Sequence, residues 1–130
     1  MSRIIFILLS IQALISQDIF NGYILFSPLT EGPLGGGENY SRLIDNDGNI
    51  INQWNHDYPG AMAPYLMPDS TLISPFKIDN PYMLGSAYGG KLIRYDWGGE
   101  ILWEYDYSDT NHLQHHDIEP LSNGNILIVS

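Results

Sequence analysis

The sequence contains no cysteine among its 130 residues. A disulfide framework and a lipid-modified cysteine anchor are therefore excluded within this stretch. Positive charge is also scarce, because five Lys and Arg residues oppose fifteen Asp and Glu residues and give a formal net charge of -10. A chain with so few cations has no basic patch for a phosphate backbone or an anionic membrane surface. We therefore expect no nucleic-acid partner.

The composition is that of a folded protein, with 44% hydrophobic and 12% aromatic residues. At the N-terminus, Arg3 precedes the apolar runs 4–9 and 11–15. Together they are too short to span a bilayer, which needs about 20 apolar residues, and they are typical of a signal peptide. We predict a signal peptide over residues 1–16, export to the periplasm or the medium, and no membrane association after cleavage. A buried helix or an uncleaved anchor is the alternative.

An internal repeat follows this segment. LIDNDGNIINQW (Leu43–Trp54) and RYDWGGEILWEY (Arg94–Tyr105) match when Asp45 is laid over Asp96, an offset of 96 − 45 = 51 residues. Each stretch has the pattern of a strand, a glycine-containing turn and a second strand. We therefore expect both stretches to form β-hairpins.

A second, weaker match concerns PDSTLIS (68–74) and SNGNILI (122–128). It lays Asp69 over Asn123 at an offset of 123 − 69 = 54 residues. A period near 50 residues, built of short strands and glycine turns, is the signature of four-stranded propeller blades. We predict an all-β chain in which residues 17–130 form about two blades of a β-propeller.

The turns also predict the order of strands within a blade. The innermost strand of each propeller blade lines the central channel, and a loop reaches it from the outermost strand of the preceding blade. We assign one outer hairpin to 40–45 with 49–54 and another to 91–96 with 100–107. The crossing loops that follow are 55–60 and 108–114, and they lead to innermost strands at 61–66 and 115–121. A further strand is expected at 22–29. Closed propellers have typically 4 to 8 blades. We therefore expect the N-terminal part of a larger propeller, prone to aggregate when expressed alone.

The segment HHD opens the second innermost strand. The offset of 54 lays His115, His116 and Asp117 over residues 61–63, whose sequence is Ala-Met-Ala. The scaffold alone therefore does not require the histidines, and an imidazole near a channel can act as acid, base, nucleophile or metal ligand. In the structural alternative, one histidine packs in the sheet, the other bonds within the loop, and Asp117 caps a turn.

Four stretches together, YILFSP, LIDNDGNIINQW, YDWGGEILWEY and HHDIEPLSNGNIL, resemble the N-terminal part of the bacterial arylsulfotransferase family. The resemblance covers most of residues 22–130, and its most specific part is His-His-Asp followed by Pro-Leu-x-Asn-Gly-Asn. It implies a six-bladed propeller that moves a sulfuryl group between phenols through a sulfated histidine, without a nucleotide sulfate donor. The expected partners are aryl sulfates and phenols, and no cofactor is expected.

The resemblance implies catalytic roles for His115 and His116, and which of the two acts stays open. The nucleophilic histidine and an arginine are expected beyond Ser130. One departure is that characterised family members carry an N-terminal sheet domain before the propeller, whereas the blade pattern here follows the signal segment at once. The alternative function is a non-catalytic secreted propeller that binds a glycan or a protein.

Three other motifs favour simpler interpretations. The stretch GPLGGGENY (32–40) lacks the Gly-Lys-Ser/Thr ending of a phosphate-binding loop and indicates a surface loop. DNDGN (45–49) lacks the distal glutamate of a calcium loop and indicates a hairpin turn. His112 with His115, His116 and Asp117 does not have a standard zinc spacing, so we expect no metal site.

Overall fold

The computed structural model describes residues 20–28, 39–83, 88–115 and 117–130. In this part the chain forms strands and no helix, which confirms the predicted all-β class. The strands are β1 (Tyr23–Phe26), β2 (Tyr40–Asp45), β3 (Ile50–Asn55), β4 (Tyr65–Leu66), β5 (Leu72–Lys77), β6 (Gly90–Tyr95), β7 (Ile101–Asp106), β8 (Ile118–Pro120) and β9 (Ile126–Ile128). The predicted signal peptide and residues 32–38 of the glycine-rich loop lie outside the described residues. Among the described residues no helix is long and apolar enough to cross a membrane.

The strands form three antiparallel sheets in chain order. The first sheet is β1-β2-β3, the second is β4-β5-β6-β7, and the third is β8-β9. Each strand pairs with its neighbour in the sequence. Short turns with a positive-φ glycine connect β2 to β3, β6 to β7 and β8 to β9.

The two outer hairpins share one register. Tyr40 lies opposite Asn55 in β2–β3, and Lys91 lies opposite Asp106 in β6–β7, so both members shift by 91 − 40 = 106 − 55 = 51. The bulge in the first hairpin follows residue 43 and the bulge in the second follows residue 94, which is the same offset. The repeat predicted from the sequence is therefore a repeat of backbone structure.

The turns of these hairpins are also equivalent. Oδ1 of Asp45 accepts the main-chain N–H four residues later at 2.8 Å, and Oδ1 of Asp96 does the same at 2.9 Å. Gly48 and Gly99 have φ angles of 83° and 93°, in the region that favours glycine. Residues 45–49 thus form the predicted hairpin turn.

The inner hairpins repeat at the second offset. Tyr65 lies opposite Ile73, and Glu119 lies opposite Leu127, so both members shift by 119 − 65 = 127 − 73 = 54. In the turn of the first inner hairpin Ser70 has a φ of 65°, and 54 residues later Gly124 has a φ of 88°. The two strands predicted to be innermost are shorter than predicted: β4 covers only 65–66 of 61–66, and β8 covers only 118–120 of 115–121.

The three sheets pack face to face, with the second sheet in the middle. One buried cluster joins Leu43 and Trp54 of the first sheet to β5 and β6 of the second. Another joins Ile73 and Leu92 of the second sheet to Ile118 of the third. Burial of apolar area stabilises the stack by about 25 cal/mol per Å². Alternate residues of the middle sheet therefore contact different neighbours, as the period-2 geometry of a strand requires.

Candidate functional site

His115 lies just before β8, at the repeat position of Ala61. The main-chain N–H of Ala61 donates to the carbonyl of Pro75 at 3.0 Å, and that of His115 donates to the carbonyl of Val129 at 2.8 Å. The donor residue and the acceptor residue are both 54 positions later in the second bond, since 115 − 61 = 129 − 75 = 54. The backbone at His115 is therefore equivalent to the backbone at Ala61. The Ala61 side chain is buried, whereas the His115 side chain is exposed. Equivalent backbone positions in the two repeats thus carry a buried alanine at residue 61 and an exposed imidazole at residue 115.

His116, the second predicted catalytic residue, lies outside the described residues. Asp117 is described, and its carboxylate has two partners. Oδ2 accepts a hydrogen bond from the Tyr65 hydroxyl at 3.0 Å, and Oδ1 accepts the N–H of Ile118 at 2.8 Å. Burial, followed by this contact with Asp117, raises the pKa of Tyr65 to about 12. The Tyr65 hydroxyl of β4 therefore joins the second sheet to the residue just before β8 of the third sheet.

Gln114 fixes the backbone on the N-terminal side of His115. It has no exposed surface, and its Oε1 accepts the N–H of Gly90 at 2.8 Å. Its main-chain carbonyl accepts the N–H of Gly89 at 2.9 Å. A Cβ atom at Gly89 would clash with the Gln114 carboxamide. Gln114 was not among the predicted site residues, and a signal for it is the glycine pair 89–90 at the start of β6.

The crossing loop before His115 is held by its own hydrogen bonds. The Asp109 carboxylate accepts the N–H groups of Asn111 and His112 at 2.7 and 2.8 Å, which lowers the pKa of Asp109. A ring nitrogen of His112 lies 3.3 Å from the same carboxylate. From outside the loop, the Asn80 amide donates to the carbonyl of Asp109 at 3.0 Å. Of the histidines in the predicted site, His112 is thus tied into its own loop.

A cleft adjoins His115 through Tyr88, whose main chain forms an isolated β-bridge with His115. The cleft has a volume of about 270 Å³, and its walls are Tyr58, Pro59, Lys77, Ile78, Asp79 and Tyr88. The Lys91 ammonium lies 5.3 Å from the centre of the Tyr58 ring, a cation–π distance. Tyrosine rings beside a few polar groups suit a ligand that has a flat apolar face and hydroxyl groups. The sequence analysis did not identify these wall residues.

Comparisons with known proteins give no relative. No family model, no curated protein and no solved structure matches this chain. Within the described residues no group of three or more His, Cys, Asp or Glu side chains is arranged to hold a metal ion. The functional argument therefore depends on the geometry of the repeat and on the residues that depart from it.

His56 is a second position at which the two repeats, offset by 51 residues, carry different residues. Its Nε2 lies 2.8 Å from Oγ of Ser41, which lies 2.6 Å from Oγ of Ser27. The imidazole packs 4.7 Å from the Phe76 ring, and its Nδ1 is buried without a partner among the described residues. Burial lowers the pKa of His56 to about 4.

This arrangement has the distance of a serine–histidine nucleophile and base, but it cannot act as one. Ser41 has no exposed surface, so a substrate cannot reach its hydroxyl. An imidazole with a pKa near 4 is also a weak base at neutral pH. The positions 51 residues later hold Leu92 and Tyr107, so this histidine was detectable by comparing the repeats. We assign His56 to the packing between the first two sheets.

Proposed function

We propose that this chain belongs to a β-propeller of the arylsulfotransferase type, with six blades when complete. The second sheet corresponds to one blade, the first sheet to three strands of the preceding blade, and the third sheet to the inner hairpin of the next. Two repeat offsets, 51 for the register of the two outer hairpins and 54 for that of the two inner hairpins, support this assignment. The stacking of the sheets in chain order supports it as well.

We further propose that the protein transfers a sulfuryl group between phenolic compounds. The observation that carries this proposal is the exposed His115 at the backbone position of the buried Ala61. The equivalent backbone does not require an imidazole at this position, and the exposure of the His115 side chain makes it accessible to a ligand. An entry to an innermost strand is a position where propellers gather ligand groups around their channel.

The proposed reaction has two steps. In the first, a neutral imidazole nitrogen attacks the sulfur of an aryl sulfate, and the S–O bond to the aryl group breaks. The phenolate leaves with the electron pair and takes a proton from a protonated imidazole. In the second, an acceptor phenol loses its proton to a base, its oxygen attacks the sulfur, and the S–N bond breaks to free the nucleophile.

His115 or His116 has the role of the protonated imidazole in this scheme. Charge spreads over the three sulfuryl oxygens in the loose transition state, by analogy with phosphoryl transfer, so a positioned cationic donor stabilises it. We place the nucleophilic histidine and an arginine in other blades. No cofactor takes part, and the sulfuryl donor is an aryl sulfate rather than a nucleotide.

The second candidate function is ligand binding without catalysis. The cleft between Tyr58 and Tyr88 favours it, because aromatic walls with a lysine and an aspartate at their edge suit a sugar ring. In this reading the propeller is exported and binds a glycan or a glycoprotein. Tyr88 links the cleft to His115, so both candidate functions use the same end of the sheets.

Initial-rate kinetics separate the two functions. The complete six-bladed protein is used, because the nucleophilic histidine lies in another blade in this scheme. It is incubated with 4-nitrophenyl sulfate as donor and a series of phenols as acceptors, and release of 4-nitrophenol is followed. We expect parallel double-reciprocal lines, because a sulfuryl-enzyme intermediate gives ping-pong kinetics. Absence of transfer with several donors, together with binding of a glycan that Tyr88→Ala removes, would establish the binding function instead.

A further inference from the structure

The second repeat closes a ring of three hydrogen bonds just before His115. The main-chain N–H of Gln114 donates to the carbonyl of Tyr107 at 2.9 Å, and the N–H of Tyr107 donates to the carbonyl of Gly90 at 2.7 Å. The N–H of Gly90 donates to the side-chain Oε1 of Gln114 at 2.8 Å, which completes the ring. One buried side chain therefore joins both ends of the crossing loop to the start of β6.

The first repeat has the same loop bond without the ring. The N–H of His56 donates to the carbonyl of Asn39 at 2.9 Å, which is the counterpart of the second bond above, since 107 − 56 = 90 − 39 = 51. The counterpart of Gln114 is Gly60, since 114 − 60 = 54. Glycine has no side chain that could accept the third bond. The repeated scaffold therefore forms its crossing loop without this ring.

Two glycines make room for the Gln114 side chain. Gly90 has a φ of 112°, in the region that favours glycine, and a Cβ atom there would come within 2.8 Å of a neighbouring side chain. A Cβ atom at Gly89 would overlap the Gln114 carboxamide. The counterparts of this pair, 51 positions earlier, are Glu38 and Asn39. Residues 89, 90 and 114 thus depart from the first repeat together and at one place.

The hydrogen-bond ring lies next to the peptide plane from which His115 projects. The carbonyl of that plane belongs to Gln114 and accepts the N–H of Gly89 at 2.9 Å. Its N–H belongs to His115 and donates to the carbonyl of Val129 at 2.8 Å. Because a peptide unit is planar, bonds at both its carbonyl and its N–H fix its orientation. The exposed imidazole of His115 is therefore carried by a held backbone.

We propose that Gln114 is a positioning residue for the His115 imidazole in sulfuryl transfer. Gln114 has no exposed surface, so it acts through His115 and does not touch the substrate. This inference rests on the transfer function proposed above. Misplacing a reacting group by about 1 Å can cost about 100-fold in rate. The loss falls on kcat when the group acts on charge that develops only in the transition state.

Gln114→Met tests this role in the complete protein, because methionine keeps the length of the side chain and removes the acceptor for Gly90. Transfer from 4-nitrophenyl sulfate to phenol should lose about tenfold or more in kcat, with KM within about twofold of the parent. In the His115→Ala background the same substitution should change kcat by less than about twofold, because Gln114 acts through that imidazole. Leu43→Ala, at a buried site between the first two sheets, is the control and should lower the melting temperature without changing kcat.

Hydrogen exchange gives a second readout that does not require activity. In Gln114→Met the N–H of His115 should exchange about tenfold or more faster than in the parent, while the N–H of its counterpart Ala61 should be unchanged. An unchanged kcat, or a further loss in the His115→Ala background, would overturn the proposal. An inactive parent would refute the transfer function instead, and an unchanged exchange rate at His115 would still overturn the positioning role. Gln114→Gly, which installs the residue of the first repeat, replaces the methionine variant if that variant does not fold.

Discussion

Trp54 and Asp96 join the first sheet to the second: the indole Nε1 donates to the Asp96 carbonyl at 2.8 Å, and the indole has no exposed surface. The Trp97 ring meets Trp54 edge to face, with ring centres 5.5 Å apart. One side chain therefore contributes apolar burial, a hydrogen bond and an aromatic contact to the same interface.

This relationship predicts unequal effects of truncation at the two repeat positions. Trp54→Ala should lower the free energy of unfolding by about 3–5 kcal/mol, the usual cost of deleting a buried aromatic residue. Tyr105→Ala, at the equivalent but exposed position, should change it by about 0.5 kcal/mol or less. Urea unfolding followed by circular dichroism measures both. Similar losses would mean that the two faces are equally covered.

His56 predicts a pH dependence of stability. Its pKa is about 4 in the folded chain against 6.5 when unfolded, because burial disfavours the cation. The unfolded chain therefore binds the extra proton first, and stability is lost as the pH falls from 6.5 to 4. The full effect is about 3 kcal/mol, at 1.36 kcal/mol per pKa unit.

The measurement is urea unfolding at several pH values between 4.5 and 8 for the parent and for His56→Phe. The variant should lose most of the slope below pH 6.5, while both proteins should have flat profiles above pH 7.5. Carboxylates with lowered pKa, such as Asp45 and Asp69, act only below their ordinary value of 3.8 and stay outside this window. An unchanged slope in the variant would show that the imidazole is solvated.

Gly89 predicts a strong local effect on the backbone that carries His115. Gly89→Ala forces the Gln114 carboxamide away and leaves the buried N–H of Gly90 without its acceptor, which should cost about 1–3 kcal/mol. Gly98→Ala is the matched control, since a Cβ there meets Asp96 at an ordinary contact distance. Thermal melting of both variants tests this, and equal melting temperatures would contradict the packing described for Gln114.

Much of the fold could be predicted from the sequence because the turns are local. Asp45 and Asp96 each bond the backbone four residues ahead, and glycine follows at the position with positive φ. Such signals depend on a few adjacent residues, so the hairpins and their offset were recognisable. Ser70 could not be predicted in this way, because a serine does not favour the positive φ that it adopts. Its repeat counterpart Gly124 adopts a similar φ.

Tertiary contacts could not be predicted in the same way. A proline inside a strand argues against a central position, yet Pro75 lies in β5 between two neighbouring strands. The carbonyl of Pro75 accepts the N–H of Ala61, so it faces the side of β5 on which β4 pairs. The nitrogen of Pro75, which carries no hydrogen, faces that same side. Pro75 therefore lies where the regular pairing of β4 with β5 has already ended. The cleft between Tyr58 and Tyr88 likewise joins residues that are 30 positions apart, since 88 − 58 = 30.

The HHD segment could be singled out from the sequence, but most of its contacts could not. The sequence alone shows that the HHD segment differs from its repeat counterpart, residues 61–63. The bond from Tyr65 to Asp117 and the burial of Gln114 depend on strands brought together by folding, and no local pattern indicates them. Sequence comparison within one chain thus identifies which positions differ, and the structure identifies what each one contacts.

We propose above that the imidazoles of the HHD segment serve catalysis and not folding. The most direct measurement compares sulfuryl transfer from 4-nitrophenyl sulfate to phenol by the complete propeller proposed above, as the parent, and by its His115→Ala and His116→Ala variants, each with its melting temperature. We predict that His115→Ala keeps the melting temperature of the parent, because Ala61 occupies an equivalent backbone. Transfer should fall by about 100- to 1,000-fold in at least one variant, the usual cost of removing a donor to developing charge. Full activity in both variants would contradict the account.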